Sequence, residues 1–349
     1  MKNRYFIRFF LIFFTGTLLS SCSSMRYTTL DVLRPAKVTF PPQVKNVLIV
    51  NNSVIQPSDF GHKTEMLNEK ARNVNVSTDS LAIFALASLT EELRNREFFT
   101  DVILKEKSRN KSTDFFLVKE LTQDSVKAIT KRYNADVVIS LNRIKVTDRI
   151  TEYYIEDERK YLAELNAVYE TQWSIHLPDD NKYSVATFRD TVFWESESYQ
   201  RKKAIEGLPK RADALIDGAL YAGQSTAKKL IPNWEKTDRY FFLTGNKYMK
   251  QAMDSVYVKN WQSAMESWQE ITQKAYSNLL KAKASYNAAI AAEILGDIEK
   301  AIDLTSKSLD YFEKSLTTDY ESYMLVTNYF DELLRRKKEI ELVRKQLGE

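Results

Sequence analysis

A long stretch of alternating residues constrains the fold of this chain more than any other feature. Within residues 165–177 every second residue is apolar or threonine, and the residues between them are mostly polar. Because successive side chains of a β-strand point to opposite faces, this period of two predicts a long strand with one buried face. The sequence PDDN at 178–181 is typical of a turn, so residues 183–194 are predicted to return as the second strand of a hairpin.

The region before this hairpin alternates short aliphatic runs with helical patterns, which predict strands and amphipathic helices respectively. The strands are predicted at residues 44–50, 102–104 and 137–141, and the helices at residues 80–98, 124–133 and 203–230. Strands that alternate with helices and are followed by a long hairpin predict an α/β or α+β domain. We place this domain at residues 44–233, after a proline-punctuated tether over residues 22–43.

From Thr237 onward, Ala, Lys, Glu, Tyr and Leu recur at helical spacing. Two segments align with each other, and the second, with Leu295-Gly296-Asp297 followed by Ala301, resembles the tetratricopeptide repeat. Asn287 departs from that repeat, which usually has a large apolar residue there. The resemblance implies an all-α domain over residues 234–349, with two degenerate repeats and a capping helix or helix pair over residues 320–347.

Tetratricopeptide repeats present a concave face built by the first helix of each pair. The projected positions of a groove on this face are Asn246, Met249, Met253, Ser285 and Ala289. Two interpretations stay open: these residues line a specific peptide groove, or they pack or face solvent.

The first 21 residues have the composition of a secretory leader. Basic residues stand at Lys2, Arg4 and Arg8, the apolar run 9–19 follows, and small residues come last. This run is shorter than the roughly 20 apolar residues that a permanent transmembrane helix needs. We therefore predict a cleaved signal peptide over residues 1–21.

Cys22, the one cysteine of the chain, directly follows the leader. Leu19, Ser20 and Ser21 before it resemble the lipobox of bacterial lipoproteins, in which the thiol receives diacylglycerol. The alternative is an ordinary signal peptide with an incidental cysteine. By the same resemblance, Ser23 lacks the aspartate of inner-membrane retention and the next residues lack an acidic surface-export cluster. We therefore expect the protein at the outer membrane, facing the periplasm and attached to the membrane through lipid on Cys22.

The charge balance argues against a nucleic-acid partner. Three of the 51 basic residues lie in the leader, which has no acid, so 48 basic residues oppose 47 acidic ones in the remaining chain. Such a balance lacks the one-signed field that nucleic-acid binding requires. With one cysteine and two histidines far apart in sequence, we predict no metal site and no cofactor.

The sequence offers few candidates for catalysis. His62 follows Phe60-Gly61 in a polar stretch and is predicted at the surface, and His176 falls on the polar side of the alternating strand. The acidic residues of segment 152–158 lie in a run with Arg149, Arg159 and Lys160, which favours a solvated linker over a glycosidase carboxylate pair. Nucleotide-binding and hydrolase motifs are missing from the sequence. We therefore predict that the protein is not an enzyme.

Two larger resemblances extend this interpretation. Residues 44–50, 81–99 and 135–141 resemble, in outline, the small α/β domain of the Tol-Pal translocation protein and of curli-secretion and penicillin-binding-protein-activator lipoproteins. That resemblance implies binding to other envelope proteins. As a whole, the arrangement is similar to an uncharacterised family of Bacteroidota lipoproteins.

Two functional hypotheses follow. In the first, the protein is an outer-membrane lipoprotein that serves as a non-catalytic scaffold and binds another envelope protein in assembly or transport. In the second, it binds peptidoglycan or another glycan through its tryptophans. These are Trp173, Trp194, Trp234, Trp261 and Trp268.

Overall fold

The computed structural model describes residues 25–178, 183–244, 246–315 and 319–349. Within these ranges the chain divides into two compact units. The α/β unit consists of Pro35–Asn233 with Lys345–Glu349, and the helical unit combines the described residues Met25–Arg34 with Trp234–Arg344. The helical unit therefore takes residues from both sides of the α/β unit in sequence.

The strands and helices are numbered in chain order. The strands are β1 (Met25–Arg34), β2 (Asn46–Asn51), β3 (His62–Glu65), β4 (Arg72–Asn73), β5 (Asp101–Lys105), β6 (Val137–Ile155), β7 (Lys160–His176), β8 (Tyr183–Ser198) and β9 (Asn233–Phe242). The helices are α1 (Leu81–Asn95), α2 (Gln123–Tyr133), α3 (Arg201–Glu206), α4 (Arg211–Leu230), α5 (Lys247–Tyr257), α6 (Trp261–Lys274), α7 (Asn278–Ile294), α8 (Ile298–Glu313) and α9 (Tyr320–Leu347).

A mixed sheet forms the centre of the α/β unit. Strand β2 pairs in parallel with β5 on one side and with the first part of β6 on the other. The later part of β6 pairs in parallel with β3, and β4 extends the sheet beyond β3. Strand β7 runs antiparallel to β6, and β8 runs antiparallel to β7.

Both faces of β2 are covered, which explains its continuous apolar sequence. Val47 and Ile49 point into the main core, where α1 and α4 contribute most of the helical side chains. Leu48 and Val50 point the other way, into a smaller core that includes Val126 of α2. The helices α1 and α2 therefore cover opposite faces of the sheet.

A β-bulge in β6 changes which side chains face α4. The register between β6 and β7 shifts between Leu141 and Arg143. Before the shift, odd-numbered residues such as Ile139 belong to the main core, whereas after it the even-numbered Val146 does. The one extra residue thus reverses the face of the sheet to which each later side chain of β6 points.

The helices α1 and α4 cross closely at Gly223. A Cβ atom at this position would lie 2.3 Å from the backbone oxygen of Ala85. Only glycine leaves room for this approach, so the residue is required by packing rather than by turn geometry.

In the helical unit, α5 to α8 each begin with a side-chain cap. The capping residues are Asn246, Asn260, Ser277 and Asp297. Each cap accepts a hydrogen bond from a free backbone N–H of the first turn. Gly296 adopts a positive φ of 85° between α7 and α8, where the sequence places the turn between the two helices of a repeat.

A ribbon of β1 and β9 belongs to the same unit. Tyr27 contacts Tyr240, and Thr29 donates a hydrogen bond to Asp238 at 2.6 Å, so the two strands run antiparallel. On its inner side, Asn287 of α7 accepts a hydrogen bond from the N–H of Phe242 and donates one to its carbonyl, both at 2.9 Å. Asn287 thus has a defined partner where the repeat usually has an apolar residue.

The predicted fold class is confirmed: an α/β region with a long hairpin precedes an all-helical region. Two predicted elements differ in detail. The tether predicted over residues 22–43 contains β1, because residues 25–34 pair with β9. The helix predicted over residues 203–230 is divided into α3 and α4, with Pro209 in the break.

Candidate functional site

The topology of the sheet indicates where a ligand would bind in the α/β unit. Strand β2 lies between β5 and β6, and the helices that connect these strands cover opposite faces. In open α/β sheets, ligands bind at the carboxyl ends of strands where the connections diverge in this way. Here that place lies beyond Asn51 of β2 and beside residues 140–142 of β6.

A closed network of polar side chains occupies this place. Asn52 donates a hydrogen bond to Asn142 at 3.0 Å, and Asn142 donates one to Glu120 at 2.7 Å and one to Ser174 at 2.8 Å. Ser174 also donates to Glu120. Asn52, Asn142 and Ser174 are buried, Glu120 is partly exposed, and these groups satisfy one another's hydrogen bonds.

Ser140 and His176 form a pair that could suggest a nucleophile and its base. The Ser140 hydroxyl lies 3.2 Å from Nε2 of His176, but it also lies 3.1 Å from an acceptor oxygen of Asn142. Ser140 is fully buried and His176 is 1% exposed, so a substrate cannot reach either side chain. Burial lowers the pKa of His176 to about 4. The sequence placed His176 on the polar side of its strand. The structure instead buries this residue, although its ring does make a hydrogen bond.

A small cavity lies next to this network. It has a volume of about 210 Å³, between the carboxyl ends of β2 and β5 and the start of α1. Asn51, Asp79 and Glu106 contribute polar groups, and Ile55 and Ile83 contribute apolar ones. Its volume is below the roughly 300 Å³ at which small-molecule sites usually begin.

His62 is not at the surface as the sequence suggested. It is the first residue of β3 and is fully buried, and its Nδ1 contacts a carboxylate oxygen of Asp148. The other carboxylate oxygen lies 3.2 Å from Nε of Arg211. Because the bulge in β6 turns Asp148 toward the helices, this cluster supports the packing of α4 on the sheet.

The acidic segment 152–158 is the end of a hairpin rather than a linker between domains. The side chain of Glu152 is buried and accepts hydrogen bonds from Arg201 of α3 at 2.7 and 2.8 Å. These hydrogen bonds lower the pKa of the Glu152 carboxyl. An ionised, paired carboxylate cannot donate the proton that glycoside hydrolysis needs.

Most of the predicted groove residues lie in the core of the helical unit. Met249, Ser285 and Ala289 are fully buried, and Met253 is 3% exposed. Ser285 donates a hydrogen bond to the carbonyl of Leu304 at 2.8 Å, so it faces α8. These four residues therefore pack in the core and do not line a groove, because the helices of this short array pack on both sides of α7. Asn246 alone of the five lines an open surface.

That surface is a pocket of about 480 Å³ in the helical unit. Ile271 and Leu280 line its apolar part, and Tyr248 and Tyr276 contribute exposed rings. It lies where α5 begins and α6 ends. The sequence projection missed this pocket because it placed the binding face along the helices rather than at their ends.

Buried ion pairs fix the ribbon to the helices. Arg239 of β9 pairs with Glu293 at 2.7 Å and with Glu332 at 2.9 Å. Burial alone would lower the pKa of Arg239, but the hydrogen bonds and charges of these glutamates outweigh that effect and raise it. Arg34, the last residue of β1, pairs with Glu339 at 2.7 Å. Sequence reasoning could not find these pairs, because their members are far apart in the chain.

The predicted lipidation residue Cys22 and the lipobox residues Leu19, Ser20 and Ser21 lie outside the described residues. None of the helices in the described part of the chain is long and apolar enough to cross a bilayer. In the same part of the chain, His, Cys, Asp and Glu residues form no group of three or more that could hold a metal ion.

Comparisons with known proteins identify families but no activity. One sequence-family model, Domain of unknown function (DUF8603), matches residues 44–242, and another, Domain of unknown function (DUF6340), matches residues 250–335. None of the curated proteins matches the sequence.

Two solved structures show a distant likeness. One is described as the crystal structure of an uncharacterized protein, with 9% identity, a TM-score of 0.25, and coverage of 54% of this chain and 95% of that chain. The other is the hypothetical protein CT253 from Chlamydia trachomatis, with 13% identity, a TM-score of 0.21, and coverage of 53% and 96%. Because the first family model spans more than half of its length, this chain belongs to the family defined by the domain of unknown function DUF8603.

Proposed function

We propose that this protein is a lipoprotein of the bacterial outer membrane that faces the periplasm and binds another envelope protein without catalysing a reaction. One observation carries the proposal. Strand β1 begins three residues after the lipobox cysteine and is paired into the helical unit. A lipid on Cys22 would thus hold a binding unit directly at the membrane.

The interior of the α/β unit supports a non-catalytic role. Its two polar clusters, at Ser140–His176 and at His62–Asp148, are buried and hydrogen-bonded internally. Catalytic groups must instead contact a substrate and be able to exchange protons with it.

The pocket at the start of α5 is the surface that best fits a protein partner. Tyr276 is fully exposed at its edge, and Tyr248 is 64% exposed. Exposed tyrosines beside an apolar floor are typical of sites where an apolar anchor of a partner binds. Glu270 and Lys274 form an ion pair at the rim, so this edge carries one charge of each sign, which can set orientation.

Two measurements test the proposal. Labelling with a fatty acid and fractionation of the envelope should find the wild-type chain acylated in the outer membrane, and Cys22→Ala should abolish both the label and the association with the outer membrane. Association of an unlabelled Cys22→Ala protein with washed outer membrane would contradict anchoring through this residue.

Site-specific photocrosslinking tests the partner surface. A photoreactive phenylalanine analogue in place of Tyr276 should trap a discrete protein in intact cells. The matched control is the same analogue in place of Tyr221, an exposed tyrosine of α4 in the α/β unit. Equal crosslinking at both positions, or none at Tyr276, would contradict a specific partner at this pocket.

Glycan binding is the second candidate function, and one observation favours it. Trp234 is 66% exposed, whereas Trp173 and Trp268 are fully buried. A single exposed indole ring can stack on a sugar. Retention on isolated peptidoglycan that is lost in Trp234→Ala would support this function over the scaffold.

A further inference from the structure

The distance from the predicted lipid to the folded body is short. Cys22 is three residues before Met25, and three extended residues span at most about 11 Å. Met25 packs against the core of the helical unit, so the chain is fixed from this residue onward. Whatever surrounds the first residues of β1 must therefore lie close to the lipid.

The surface around this end of β1 is rich in exposed aromatic and aliphatic side chains. Tyr27 is 68% exposed, Tyr240 44%, Tyr257 58% and Val258 75%. Arg26 and Lys259 are exposed cations in the same area, and the guanidinium of Arg26 lies 5.8 Å from the ring centroid of Tyr257. We call these residues the anchor-proximal patch: Arg26, Tyr27, Tyr240, Tyr257, Val258 and Lys259.

The patch surrounds the end of the ribbon rather than one face. Tyr27 contacts Tyr240 with ring centroids 6.1 Å apart, while Arg26 contacts Tyr257 at the end of α5. Adjacent residues of a strand point to opposite faces, so these two contacts lie on opposite sides of β1. Exposed aromatic rings therefore lie on both sides of the ribbon at this end.

We propose that the anchor-proximal patch inserts into the headgroup region of the same lipid leaflet that holds Cys22. This inference rests on the lipid anchoring proposed above and adds an orientation to it. Tyrosine is suited to this region, because its ring is apolar and its hydroxyl remains in contact with water or headgroups. Arg26 and Lys259 can pair with phosphates of the lipids.

Burial of apolar surface supplies most of the affinity in this arrangement. Asp254, four residues before Val258, is also exposed and offsets one of the two cations. The patch is small, and its contact with lipid depends on the covalent anchor that keeps it near the membrane. A patch that binds only when held nearby gives orientation rather than independent attachment.

A fluorescent label on an added cysteine tests this orientation. Because Cys22 is the one cysteine of the chain and its sulfur is consumed by the lipid, Val258→Cys supplies a single free thiol. Tyr276→Cys is the matched control. Helix α6, with 14 residues, separates these two exposed positions by about 21 Å.

The measurement is quenching of the label by iodide in the lipidated protein reconstituted into vesicles of phosphatidylethanolamine and phosphatidylglycerol. The water-exposed reference is the same label in a Cys22→Ser background without vesicles. Insertion to a depth of about 5–10 Å should reduce quenching at position 258 at least about threefold and leave position 276 unchanged. Adding Tyr257→Glu should restore quenching at 258, whereas Tyr248→Glu, at the other end of α5, should not.

The outcomes separate this inference from the proposed function. If the protein floats with the vesicles but positions 258 and 276 are quenched equally, the orientation is wrong and the anchoring stands. If the protein carries no lipid and does not float, the anchoring fails, and the inference is overturned with it.

Discussion

At the scale of single residues, His176 links the interior of the sheet to the pH of the surroundings. Burial lowers its pKa to about 4 from a usual value of 6.5. As the pH falls, the unfolded chain therefore takes up a proton near pH 6.5, whereas the folded chain does so only near pH 4. The free energy of unfolding should decrease across this interval by about 3 kcal/mol, with no contribution above it.

His176→Gln isolates this contribution. The variant should lose less stability than the wild type between pH 7.5 and pH 4.5, because all other titrating groups are shared. Urea unfolding at both pH values measures the difference. Equal losses in the two proteins would show that His176 does not couple folding to protons.

The residues inside the sheet also show what a sequence pattern can and cannot predict. The alternation over residues 165–177 correctly predicts that Tyr169 and Trp173 face the core. It cannot predict the bulge near Asn142, which turns Asp148 toward α4. A bulge depends on how two distant strands align, and Arg211 as the partner of Asp148 is supplied only by the tertiary fold.

At the scale of elements, the junction of β9 and α7 explains the weakness of the repeat pattern. Asn287 makes two hydrogen bonds with the backbone of Phe242, which an apolar residue could not make. The sequence identified Asn287 as a departure from the repeat but not its reason. Strand β9 itself was not predicted, because it pairs with β1, about two hundred residues earlier in the chain.

Substitution of Asn287 by leucine should therefore destabilise the helical unit, although leucine matches the repeat better. The buried N–H and C=O groups of Phe242 would lose their partner, at a cost of about 2–4 kcal/mol. Urea unfolding followed by circular dichroism at helical wavelengths measures the loss.

Asn328→Leu, on an exposed position of α9, is the matched control and should change stability by less than about 0.5 kcal/mol. A neutral or stabilising effect of Asn287→Leu would mean that the repeat packing, and not the ribbon, determines this position.

At the scale of the whole molecule, the segment after Cys22 has a different role from the one that the sequence indicated. The prolines of residues 22–43 indicated a tether without regular structure, which would leave both units at some distance from the membrane. Instead, residues 25–34 form part of the helical unit, and residues beyond them belong to the α/β unit, where Gln346 hydrogen-bonds both backbone groups of Ala36 at 2.9 Å. No local pattern could show this, because these contacts join residues about two hundred to three hundred positions apart.

A protease site inserted between the exposed residues Pro42 and Gln43 distinguishes a tether from a built-in strand. With the protein anchored by lipid, cleavage at a tether would release the body from the membrane. Here we expect the cleaved body to stay with the membrane in buffer, because β1 remains paired with β9 and Arg34 remains paired with Glu339. Urea should then release it. The control is the same site inserted between Ser23 and Ser24, where cleavage should release the body at once, and equal release from both sites in buffer would show that β1 does not hold the body in place.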